Sequence, residues 1–211
     1  LMEAEAGRAG PDLPGPHGVV RSSRGTYLFR AYDTWPPGDA EEAAETLHGL
    51  LPVLASGEPR QAAVVGLGRG DVLDPLGVAN VERLMLLDRS DHAAGQIASL
   101  GGGARDAVTS PAAQLVRGHP LPSLPLPRET FDVIVVDLPH PSLPGARAWY
   151  GRGFAAKVAA CLAQDGWASF RIHSRFLDAG DLARAIVDFS DVFPDATVWV
   201  DPVGDGDVIL L

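Results

Sequence analysis

The sequence predicts one α/β domain of the doubly wound, Rossmann-like type: a mainly parallel sheet with antiparallel C-terminal edge strands, preceded by a small β-hairpin. Three observations predict it. Short apolar runs, Ala62 to Val65, Leu84 to Leu87 and Phe131 to Val136, alternate with stretches of helical spacing, and strands apolar on both faces belong to a sheet covered by helices on both faces. The first run opens into a glycine-rich turn, Gly66-Leu67-Gly68-Arg69-Gly70, as a buried parallel strand does when it feeds a helix. The second and third runs close on Asp88 and Asp137, at the C-terminal strand ends where ligands sit in such folds.

Each element follows from local chemistry. Residues 1–17 are rich in Gly, Pro, Ala and Glu without an apolar period, so a flexible lead-in is expected rather than a folded element. Residues 18–38 read as a small β-hairpin, with Thr26 to Phe29 and Ala31-Tyr32 favouring strand and Ser23-Arg24-Gly25 as the turn. Residues 39–211 form the expected Rossmann-like nucleoside-cofactor-binding domain. Its first helix is capped by Asp39, carries Glu41 and Glu42 in its first turn and runs to about Ala55, with Leu47, Leu50, Leu51 and Leu54 as the apolar row. Further helices are expected over Asp91 to Leu100, Phe154 to Ala163 and Asp178 to Phe189, and a further strand over Trp167 to Ile172. Thr197 to Val200 and Val208 to Leu211 read as the antiparallel edge pair, and proline-rich Leu121 to Pro127 as a crossing loop. The chain ends inside that last strand, as a fragment of a longer polypeptide would.

Composition narrows the partners. With 211 residues, 46% of them hydrophobic, the chain can bury a sizeable core. A formal net charge of −10 disfavours nucleic acid and anionic lipid. No run approaches the roughly 20 apolar residues of a membrane span, and the start lacks the basic-then-apolar layout of a signal peptide, so a cytoplasmic protein is expected. The single cysteine, Cys161, lies in an apolar pattern and reads as a buried small hydrophobe. No metal site is expected, because no His, Cys, Asp and Glu cluster has ligand spacing.

The chemistry-bearing motif is the glycine turn with its acidic partner. Gly66, Gly68 and Gly70 permit a tight bend that lets backbone amides approach a ligand, although such turns also use glycine for steric reasons alone. Asp88 lies eighteen residues beyond Gly70, near the spacing at which an acid takes the two hydroxyls of a ribose. The turn does not complete G-x-G-x-x-G, since Asp71, Val72 and Leu73 follow Gly70, so an adenosyl-sulfonium cofactor is favoured over NAD.

From Phe131-Asp132-Val133-Ile134-Val135-Val136-Asp137-Leu138-Pro139-His140-Pro141 through Leu143-Pro144, Trp149-Tyr150 and Gly153-Phe154, the chain resembles the polyamine aminopropyltransferases, the spermidine synthase family. Tyr27-Leu28-Phe29, Glu45-Thr46-Leu47-His48 and Phe193-Pro194 to Asp207 resemble further family segments, so the likeness spans about residues 19–211. It implies decarboxylated S-adenosylmethionine or S-adenosylmethionine as cofactor, a small-molecule amine acceptor, a role in polyamine biosynthesis and a homodimer. The departures fall at the chemistry. Arg69 replaces an acid of the family's glycine turn, His140 replaces the second of two acids after the fourth strand, and the adenine-binding acid falls near His119. Asp88 matches the ribose acid and Asp137 the retained loop acid.

The cofactor-binding candidates are therefore Gly66, Gly68, Arg69, Gly70, Asp88 and His119, and the catalytic candidates are Asp137 and His140. Transfer to an amine requires a base for the attacking nitrogen, a role open to Asp137 or, near its ordinary pKa of about 6.5, to His140. Asp137 could equally cap its turn, and His140 could be an exposed loop histidine. His173 reads as a surface or pocket residue, Glu45 and His48 as a solvated or helix-packing pair, and Trp149 and Tyr150 as core aromatics or a cofactor shield. Two other functions fit the frame. In an S-adenosylmethionine-dependent methyltransferase Arg69 would pair with the cofactor carboxylate; a catalytically inactive binding or regulatory domain would explain the lost acids.

Overall fold

The computed structural model describes residues 3–7, 17–22, 25–30, 33–35, 39–88, 92–100, 102–117, 124, 126–141, 145–201 and 206–211, with side chains from residue 42 onward except at Leu100 and Arg117. Its N-terminal part is a four-stranded antiparallel meander, β1 (Glu3–Gly7), β2 (His17–Ser22), β3 (Gly25–Arg30) and β4 (Asp33–Trp35). The hairpin is thus part of a larger sheet, and part of the expected lead-in is strand: Glu3 to Gly7 pairs residue by residue with His17 to Arg21. Backbone pairing needs no apolar period, and Glu3-Ala4-Glu5-Ala6 carries the two-residue alternation of a strand.

The main sheet has seven strands in the order β10-β11-β9-β8-β5-β6-β7. Five are parallel: β5 (Gln61–Val65), β6 (Arg83–Asp88), β7 (Ala113–Arg117), β8 (Phe131–Asp137) and β9 (Leu162–Ile172). The last strand in the chain, β11 (Val208–Leu210), inserts antiparallel between β9 and β10 (Val198–Val200). The predicted antiparallel pair therefore exists, with only β10 at the edge. Alternate residues of each strand feed two cores. Ala62, Val64, Leu84, Leu86, Val133 and Val135 pack under α1 (Asp39–Ser56), α2 (Asp74–Val78), α3 (Ala93–Leu100) and α4 (Gly102–Thr109). Ala63, Val65, Met85, Leu87, Ile134 and Val136 pack under α5 (Arg152–Ala159) and α6 (Ala179–Ser190). Each fully buried Val, Leu or Ile contributes about 1.5–3 kcal/mol, so the two-sided burial that made these runs legible also holds the sheet together.

Some elements differ from expectation. β7 and α4 were not predicted, because an edge strand of alternating character and a helix opening on Gly102-Gly103 carry weak local signals. Tertiary contact decides for α4: a Cβ on Gly103 would lie 2.6 Å from Asp74 Oδ1, so helix and neighbour meet where only glycine fits. The helix expected to reach Ala163 stops at Ala159, since Leu162 already pairs with Phe131 before regular pairing resumes at Trp167. The chain bends between them at Asp165, with φ of 64°, and Gly166, whose Cβ would lie 2.7 Å from the Phe131 carbonyl oxygen. On α1 only part of the leucine row is turned inward. Leu54 is 66% exposed, whereas Ala44, Glu45, His48, Leu51 and Val53 are buried and Gly49 presses on the Val72 carbonyl with no room for a Cβ.

The crossovers put β5 at the point where the strand order reverses. The chain leaves β5 towards β6 and β7, then returns to β8 on the other side. Val65 pairs with both Leu87 and Val136, so the next residue of each strand, Gly66, Asp88 and Asp137, stands in one row at the C-terminal edge. Asp137 pairs in turn with Arg171 of β9.

Candidate functional site

The glycine bend grows out of that row. Gly66, with φ of 83°, donates its N–H to Leu87 O at 2.8 Å, and a Cβ there would meet the Asp137 carbonyl oxygen at 2.6 Å. Gly68, with φ of 48°, has Glu45 Oε1 where its Cβ would be, and Gly70, with φ of 107°, faces Ile97 in the same way. All three glycines are thus required by the protein's own packing. The bend is a short turn, followed by a 3-10 turn at Asp71–Leu73 and the five-residue α2, in place of a long helix aimed at the edge.

Two bend amides are held by carboxylates. Leu67 N–H donates to Asp88 Oδ2 at 3.0 Å, so the bend and the acid meet directly, and Asp88 is buried. Arg69 N–H donates to both carboxylate oxygens of Glu45, at 3.0 and 3.1 Å. The Arg69 guanidinium pairs with Asp71 through Nε at 3.1 Å, so the charge reversal at this turn is met within the turn itself. His119 lies outside the described residues.

Across the switch point the site differs from expectation. His140 packs its ring on Phe176, with centroids 4.0 Å apart, and Arg175 covers that phenylalanine. Asp137 is met by the imidazole of His173, whose Nε2 lies 3.6 Å from Asp137 Oδ1 while its Nδ1 lies 3.2 Å from Asp207 Oδ2. Asp207 also takes Arg171, through Nε at 3.1 Å and Nη2 at 2.9 Å. The Arg171 guanidinium is almost wholly enclosed and reaches Glu45 Oε1 with Nη1 at 4.0 Å. Ser169 Oγ donates to the His48 carbonyl oxygen at 3.2 Å, tying α1 to β9. Glu45 and His48, read as a solvated or helix-packing pair, are each 1% exposed and belong to this buried group.

Burial and charge set the protonation states. Burial, reinforced by the charges of Asp137 and Asp71, outweighs the opposing Arg171 and the Arg69 amide and pushes Glu45 up to about 8. Burial and the Arg171 charge push His48 down to about 3, so its imidazole is neutral. For His173 burial alone would lower the pKa, but the Asp207 hydrogen bond and the Asp137 charge prevail and raise it. Asp207 is lowered despite burial, because His173 and Arg171 favour its charged form. With Glu45 protonated, the carboxylates of Asp137 and Asp207 balance Arg171 and a protonated His173. Loss of the His173 proton turns the group anionic, the sign that attracts an amine cation.

Other residues have structural roles. Cys161 is buried, and burial pushes its thiol up, away from the reactive thiolate. Trp149 packs on Phe154, with ring centroids 4.9 Å apart, and Tyr150 donates its hydroxyl to Pro139 O at 2.6 Å, bracing the segment after β8. Among the described residues no group of three or more His, Cys, Asp or Glu is arranged to hold a metal ion, and no helix is long and apolar enough to cross a membrane. The sequence reading missed Arg171, Asp207 and the buried state of Glu45 and His48. The available signal was an arginine interrupting the apolar strand Phe170-Arg171-Ile172, where an inward charge demands a partner.

Known structures define the class of fold. The crystal structure of spermidine synthase in complex with the transition state analogue AdoDATO superposes with a TM-score of 0.81 at 18% identity, covering 98% of this chain and 71% of that one. Spermidine synthase from Thermotoga maritima gives a TM-score of 0.79, also at 18% identity, over 98% of this chain and 70% of that one. The fold is therefore spermidine synthase-like, as the motifs implied. No protein-family model matches the sequence, and no curated protein matches it.

Proposed function

We propose that this chain is a spermidine synthase-like transferase, which binds an adenosyl-sulfonium donor at the Gly66 to Gly70 bend and Asp88 and passes its aminopropyl group to a small-molecule amine. The observation that carries this reading is the row of Gly66, Asp88 and Asp137 at the switch point, closed by the Leu67 amide on Asp88. In this reading the buried acid beside the bend serves a ribose, and Asp137, across β5 from it, serves an amine. The spermidine synthase bound to AdoDATO supports it by fold.

The chain's residues divide the work. Asp88 and the bend hold and orient the donor, whose sulfonium makes the neighbouring methylene carbon electrophilic. Asp137 attracts the cationic acceptor and takes the proton from its nitrogen, because only a neutral amine has a lone pair to attack. Residues 39–211 form the cofactor-binding unit in this reading, and the protein works in the cytoplasm as a homodimer, without nucleic acid, membrane or metal. Calorimetry with decarboxylated S-adenosylmethionine, S-adenosylmethionine and methylthioadenosine, followed by turnover with diamines, tests it. Preference for the decarboxylated donor and turnover are expected. Preference for the intact form would favour a methyltransferase, for which the Arg69 guanidinium at the turn is the supporting observation, and silence with all three a binding module.

A further inference from the structure

The residue after β9 and the residue before β11 face each other across the sheet edge, because Ile172 pairs with Val208. Those residues are His173 and Asp207, and their side chains meet at 3.2 Å on the Nδ1 side of the ring. The other ring nitrogen points to Asp137. One imidazole therefore joins the acid at the mouth to an acid that Arg171 anchors in the interior.

Resting on the transfer reading above, we propose that Asp207 and His173 form a dyad behind Asp137. Asp207 fixes the Nδ1–H tautomer, and the facing Nε2 draws off the proton that Asp137 takes from the acceptor amine.

Three features of the geometry support the relay. A carboxylate on Nδ1 selects the tautomer whose Nε2 lone pair faces outward, as in other histidine bases held by an acid. Asp207 is itself fixed by two Arg171 contacts of 3.1 and 2.9 Å, so the acceptor end is rigid. The 3.6 Å gap between Nε2 and Asp137 Oδ1 exceeds a direct hydrogen bond, and such contacts tighten when the reacting groups are in place.

The groups facing His173 are Asp137 on β8, Asp207 before β11, Arg171 on its own strand and neutral His48 on α1. Glu45 stands behind Arg171. The two carboxylates outweigh burial and Arg171, so the ring holds a proton above the usual histidine range.

In the step itself the amine lone pair forms the N–C bond while the C–S bond breaks. Its electron pair stays on sulfur, leaving a neutral thioether. The amine proton goes to the Asp137 carboxylate and from Oδ1 to Nε2, and the imidazolium sits against the Asp207 carboxylate until water removes the proton. Only neutral His173 accepts, so kcat rises with pH through the raised His173 pKa.

The test is kcat against pH, from about pH 6 to 9, with decarboxylated S-adenosylmethionine and 1,4-diaminobutane, for wild type, His173→Gln and Asp207→Asn. Wild type is expected to show a rising limb above the ordinary histidine pKa. His173→Gln should lose that limb and about 10- to 100-fold in kcat, with methylthioadenosine affinity changed less than about 3-fold, and Asp207→Asn should move the limb to lower pH. Wild-type kcat and limb in His173→Gln would overturn the relay while leaving the transfer reading intact; an inactive wild type would overturn the transfer reading and the relay with it. Should Asp207→Asn fail to fold, nitrogen NMR of His173 in the wild-type protein decides the tautomer. Protonation on Nδ1 at high pH supports the dyad, and protonation on Nε2 overturns it.

Discussion

The two halves of the sheet edge are built differently. At the ends of β5 and β6 the contacts are backbone-led: three glycines at positive φ, with Leu67 N–H on Asp88 and Arg69 N–H on Glu45. At the ends of β8, β9 and β11 they are long-range and carried by side chains: Asp137, Arg171, His173 and Asp207 come together with Glu45 and His48 from α1. The first half is a shaped bend with an acid in it, suited to positioning. The second is a buried set of titratable groups, suited to moving protons. The difference teaches that one row of strand ends can carry a backbone-led turn on one side and a network of buried titratable side chains on the other.

The two halves meet at Glu45, which accepts the Arg69 amide and reaches Arg171, and mutations on either side of it give ways to break the comparison. The largest effect is expected from Arg171→Ala, which leaves Asp207 buried without its guanidinium and should cost about 3–5 kcal/mol in urea unfolding. A loss under about 1 kcal/mol would mean that the side-chain half does not depend on its ion pairs. Next, Asp137→Asn should lower kcat by about 100-fold or more while donor affinity stays within a few-fold, read by turnover and calorimetry. Wild-type rates would remove Asp137 as the base. In the backbone half, Gly68→Ala forces a Cβ to within 2.6 Å of Glu45 Oε1 at φ of 48° and should cost about 1–3 kcal/mol of stability by thermal melting.

The remaining prediction is a dependence on pH. Glu45 has its folded pKa raised from 4.5 to about 8, so its contribution is fully present below pH 4.5 and is lost as pH rises through 8. Glu45→Gln should abolish that loss, so its stability relative to wild type should climb as pH rises across this window. Parallel wild-type and variant profiles in a pH series of melts would show that Glu45 is charged throughout.

How much could be read from residues alone follows the same division. β5, β6 and β8 were legible because two-sided burial writes continuous apolar runs, and the row of Gly66, Asp88 and Asp137 was legible because each ends such a run. β1 escaped because its pairing is backbone chemistry, and α4 because contact with Asp74 overrides two glycines. The buried cluster escaped for another reason: Glu45 and Asp207 lie 162 positions apart in the sequence, and only the insertion of β11 beside β9 brings Asp207 to Arg171. Polar residues on α1 resembled a wet face. They face inward because Gly49 lets the helix close onto Val72.

The claim on which the account rests is that the bend and Asp88 together hold one nucleoside, and titration calorimetry of decarboxylated S-adenosylmethionine into wild type and Asp88→Ala tests it most directly. The account predicts saturable one-site binding to wild type and a loss of about 1–3 kcal/mol in the variant, the cost of unpaired ribose hydroxyls. Equal affinity in the two proteins, or no binding to either, would contradict it.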